Sequence, residues 1–86
     1  MASMGEVHAQ MLAGATKALE AAQLILHAYE TTEESLDLVA GAAEGSDHYD
    51  LSVALGTLGI VRDALEEHIP QLSLAAAYLQ DYVANT

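Results

Sequence analysis

The chain has 86 residues, and 2 Lys+Arg stand against 13 Asp+Glu, a formal net charge of -11 at pH 7. With no Cys it can build neither a disulfide scaffold nor a thiolate metal site, and 52% apolar residues is too high a fraction for a disordered chain. Two basic residues cannot neutralise a run of phosphates, so nucleic acid is excluded as a partner, and the same charge disfavours an anionic membrane.

Residues 1–15 show no basic region followed by an apolar core, and no apolar run is long enough to span a bilayer. The expected location is the cytoplasm. Met1-Ala2-Ser3 precede a second methionine, so the single domain is read as 4–86, with residues 1–3 a short addition ahead of it.

Residues 6–44 are rich in Ala, Leu, Glu and Gln, which predicts a first helix over about 6–44. One apolar row runs through Ala15, Ala22, Tyr29, Leu36 and Ala43. Its companion runs through Met11, Ala18, Ile25, Thr32 and Val39. Two adjacent β-branched residues, Thr31 and Thr32, are the weakest point, and a break there is the alternative. Turn chemistry gathers in residues 41–50, GAAEGSDHYD. Gly45 suits the left-handed closure of a helix, and Asp47 suits the cap of the next one. The loop is placed near 45–47.

A second helix is predicted over about 48–84. Leu51, Leu58, Leu65, Leu72 and Leu79 recur every seven residues, a heptad seam of a coiled-coil kind. Ala54, Val61, His68, Ala75 and Tyr82, at +3 from each, are read as the second row of that seam. Gly56 and Gly59 are read as allowing close helix packing, and Pro70 as a kink near 66–70. The fold class is therefore all-α, two long antiparallel helices in a hairpin. Leu36 should lie near Leu58, Tyr29 near Leu65, Ala22 near Leu72 and Ala15 near Leu79.

A lone hairpin has no interior, and each helix would be about 57 Å long. Further apolar residues lie off the seam. Leu24 and Leu38 fall on the back of the first helix. Val53, Ile60, Leu74, Tyr78 and Tyr82 are the interface candidates on the second. A second stripe on one helix asks for a second helical neighbour. The expectation is a homodimer forming a four-helix bundle, or pairing with another helical protein.

Catalysis finds no support: Ser35, Ser46, Ser52 and Ser73 have no surrounding motif, and residues 56–59 lack the Lys of a phosphate loop. The chain is read as no enzyme, with no cofactor. A metal-binding bundle is the alternative function. His27, Glu30 and Glu34 share one helical flank, with Glu66 or Glu67 opposite, but the Glu-x-x-His pattern of di-iron bundles is missing. Arg62 is expected to pair with the Glu30–Glu34 region, and His27 could approach His68. An acidic antitoxin or accessory protein that masks a basic partner is a third reading.

The two-helix layout, the Ala/Leu/Glu bias, the turn Gly45-Ser46-Asp47-His48 and the ending Ala77-Tyr78-Leu79-Gln80-Asp81-Tyr82 resemble small helical-hairpin proteins common in actinobacteria. More broadly the architecture is similar to the ESX-type substrates of type VII secretion, hairpins that pair into four-helix bundles. That resemblance implies a hairpin fold and a helical partner. Where that family carries Trp-x-Gly, this turn reads Glu44-Gly45-Ser46-Asp47-His48-Tyr49. The Tyr and acid spaced four apart that signal export are not met, because Tyr78 is followed by Tyr82 and Tyr82 by Thr86.

Overall fold

The computed structural model describes residues 3–86. Two helices account for nearly all of it: α1, Met4–Ala42, and α2, Tyr49–Asn85. They pack against each other along their length in an antiparallel hairpin measuring 63 × 20 × 14 Å. The readings made for Met1 and Ala2 lie outside the described residues.

Each end of each helix has a local cause. Ser3 caps α1, its Oγ accepting from the Glu6 N–H at 3.1 Å. At the other end, the Ala43 N–H donates to the Val39 carbonyl at 2.8 Å. Gly45 then turns the chain at φ +79, which glycine adopts without a Cβ penalty. The cap of α2 is His48 rather than Asp47. Its Nδ1 accepts from the Asp50 N–H at 3.1 Å, and the Ser46 hydroxyl accepts from the His48 N–H. The helix thus starts one residue later than the sequence suggested.

Thr31 and Thr32 do not break α1. Each hydroxyl donates back to the carbonyl four residues earlier, to His27 at 2.9 Å and Ala28 at 2.7 Å. Pro70 does not interrupt α2 either. It leaves the Glu66 carbonyl without its helical donor. Glu66 and Pro70 are both exposed, so water can take that bond.

The seam differs from expectation on one helix. On α1 both expected rows face inward: Ala15, Ala22 and Ala43 are buried, and Met11, Ala18, Ile25, Tyr29, Thr32, Leu36 and Val39 are half-buried. On α2 the leucine row Leu51, Leu58, Leu65, Leu72 and Leu79 also faces inward, but its companion lies at +4. Leu55, Arg62, Ile69, Ala76 and Val83 are buried or half-buried, whereas Ala54, Val61, His68, Ala75 and Tyr82 are all exposed. The reason is the apolar area each row can bury. The +4 row offers Leu, Ile, Ala and Val with one Arg, whose aliphatic stem can lie along the seam. The +3 row would have buried an imidazole and a phenol. Of the expected seam pairings, Ala15 with Leu79 agrees with the contacts at the open end, where the Gly14 backbone lies beside the Leu79 side chain and the His8 ring meets Thr86.

Among the described residues the fully enclosed positions are small. Ala15 and Ala76 are each 1% exposed, and no large side chain is completely buried. The helices approach closely at these alanines while the leucines close the flanks. Gly56 and Gly59 play no part in this: a Cβ at either would meet nothing within 4 Å.

Candidate interaction surface

Heptad geometry assigns every off-seam residue to one side of the hairpin. Rows about 80° either side of the seam lie on its two broad faces, and the row opposite the seam forms the outer edge. Because the helices run antiparallel, the +3 row of α2 shares a face with the α1 row Gly14, Ala21, Ala28 and Ser35. Met11, Ala75, Tyr78, Leu79 and Tyr82 together line an open hollow of about 510 Å³ on that face.

The opposite face is acidic. Glu30, Glu33 and Asp37 come from α1, and Asp63 and Glu66 from α2, all on the half toward the turn; the half toward the open end has no carboxylate in these rows and leaves Leu12, Leu19 and Leu26 part-exposed. Tyr29 sits at this margin of the seam. Its phenol is pushed above its ordinary range by burial first, then by the negative charges of Glu33 and Glu66, with Arg62 opposing. Arg62 does not bridge to Glu30 or Glu34. Its Nε donates to Asp63 on its own helix at 3.1 Å, an exposed pair.

The face with the hollow is neutral. Its α1 rows are Gly14, Ala21, Ala28, Ser35 and, further out, Lys17, Leu24, Thr31, Leu38. Its α2 rows are Ala54, Val61, His68, Ala75, Tyr82 and Thr57, Ala64, Gln71, Tyr78. None of these is a carboxylate; Asp50, in the first turn of α2, is the nearest along the same rows. Several large apolar side chains stand open along it, Leu24 at 71% and Tyr78 at 68% exposure, with Tyr82 at the open end and Val61 and Leu38 toward the turn.

The interface candidates therefore divide. Tyr78 and Tyr82 lie on the neutral face, and Val53, Ile60 and Leu74 run along the outer edge of α2, Ile60 at 72% exposure. All five are exposed. Val61 was assigned to the seam and lies instead on the neutral face. The signal that could have found this is the polarity of its own row, which carries His68 and Tyr82.

The metal candidates do not assemble. Among the described residues no three His, Asp or Glu side chains are grouped to hold an ion. His27, Glu30, Glu34, Glu66 and Glu67 are all exposed. His68 Nδ1 bonds Gln71 Oε1 at 2.9 Å on its own helix and does not meet His27. His8 is held at the open end by Thr86 Oγ1 at 2.9 Å and stands edge-on to Tyr82, ring centroids 6.3 Å apart. No helix among the described residues is long and apolar enough to cross a membrane.

No family model matches this chain, and neither a curated protein nor a solved structure is similar to it.

Proposed function

We propose that the protein is a non-enzymatic interaction module that acts by pairing its helices with a second helical surface. The observation that carries this reading is the set of large apolar side chains left open on α2: Val53, Ile60 and Leu74 on its edge, Tyr78 and Tyr82 on the neutral face. They add nothing to the seam and leave apolar area free to be covered by a neighbour. Burial of those side chains would drive association, with the acidic face keeping the assembly soluble and discouraging wrong partners.

Substitution of these residues separates binding from folding. Ile60→Asp, Leu74→Asp and Tyr78→Asp combined should keep the circular dichroism of the wild type and lose its association. Loss of the helical signal would mean that the residues serve the fold, and the reading would fall. Leu65→Asp, on the seam, should unfold the chain.

A further inference from the structure

We infer that the occupant of the neutral face is a second copy of this chain, packed face to face across a two-fold axis with both acidic faces outward. This rests on the pairing reading above and names the partner for Tyr78 and Tyr82; Val53, Ile60 and Leu74, on the outer edge of α2, lie outside this contact. Three observations carry it.

The first is charge. A chain of net charge -11 has only two basic residues, so two copies repel wherever carboxylates meet. The neutral face is the broad face on which no heptad row brings carboxylates together beyond the first turn of α2. A basic partner would be drawn instead to Glu30, Glu33, Asp37, Asp63 and Glu66 on the other face, and gains nothing from a face whose one full charge is Lys17.

The second is shape. The face carries a ridge and its complement side by side. Val61, Tyr78 and Tyr82 stand up from α2, and Gly14, Ala21 and Ala28 leave a shallow row along α1. With the two-fold axis parallel to the long axis of the hairpin, α2 of each copy lies over α1 of the other, and the ridge falls toward the small row. The hollow of about 510 Å³ at the open end gives an aromatic ring room to enter.

The third is size. The broad face of a hairpin of 63 × 20 × 14 Å is at most roughly 1,200 Å², which leaves room for the ~800 Å² per partner of a standard stable interface.

Sedimentation equilibrium on full-length protein and three variants decides the matter. Wild type should reach twice 9.0 kDa at high concentration. Raising the salt should strengthen the dimer, because screening removes the residual repulsion between two acidic chains. Leu24→Glu and Tyr78→Glu, on the neutral face, should give helical monomers. Leu19→Glu, on the acidic side, should leave the dimer intact. A wild-type chain that stays monomeric would overturn the second copy as the occupant, and the pairing reading would then require a different helical protein on these residues. A dimer that survives Leu24→Glu and Tyr78→Glu but not Leu19→Glu, or that weakens with salt, would overturn the face.

Discussion

Residues 75–77 are three consecutive alanines, and the fold assigns each a different environment. Ala76 is 1% exposed on the seam, Ala75 borders the hollow, and Ala77 faces solvent. Replacing each in turn by Leu adds the same three carbons and changes helix propensity equally. Only Ala76→Leu forces those carbons between the helices, where it should cost about 2 kcal/mol through overpacking. A chain of this size loses roughly 2.1 cal/mol/K of folding entropy per residue, so that cost lowers the melting temperature by about 11 °C. Ala77→Leu should fall within about 0.5 kcal/mol of wild type, as exposed substitutions do. Ala75→Leu should do the same when the melt is run dilute enough to keep the chain monomeric, because its side chain extends over the open hollow. Thermal melts followed by circular dichroism measure all three. If Ala75→Leu is the costly one, the seam runs through the +3 row and the assignment of faces collapses. Equal shifts for all three would mean that the helices do not approach closely at all.

Other perturbations follow from the same contacts. Gly45→Ala places a Cβ at φ +79 and should cost roughly 1 kcal/mol in chemical denaturation. Gly56→Ala with Gly59→Ala should stabilise the hairpin by about 1 to 2 kcal/mol, since neither Cβ meets a neighbour; a loss of stability would show hidden packing there. The raised phenol of Tyr29 sets a pH dependence. Its neutral form is favoured by folding, so its contribution is complete below the ordinary value of 10.0 and is lost as pH rises through the higher folded value. Ultraviolet titration of wild type against Tyr29→Phe should reveal one tyrosine ionising above 10.0, and its absence would contradict the packing of Tyr29 against Glu33 and Glu66.

The hairpin was legible because two signals agreed: leucines at strict seven-residue spacing and turn residues gathered between 41 and 50. The inner rows of α1 could be read for a similar reason, since Ala15, Ala22, Leu36 and Val39 are all apolar. The second row of α2 could not be fixed by spacing. Rows at +3 and +4 fit a heptad equally, and Arg62 made the true one look polar. Its stem packs while its head stays at the acidic margin, which a count of residue types does not register. The cap of α2 was hidden by chemistry. Asp47 is the commoner capping type, yet the His48 Nδ1 reaches the Asp50 N–H. Exposure of Ile60, Leu74 and Tyr78 was readable from periodicity, whereas the heptad count had put Tyr82 in the seam as well. Which of them share a face with α1 was not, because that requires the direction in which the second helix passes the first.

The most direct test is light scattering coupled to size exclusion on the wild-type chain over about a hundredfold range of concentration. The account predicts a mass that climbs from 9.0 kDa to twice that value and stops there, as a closed two-fold pair requires. A well-folded chain of 9.0 kDa at every concentration would contradict it.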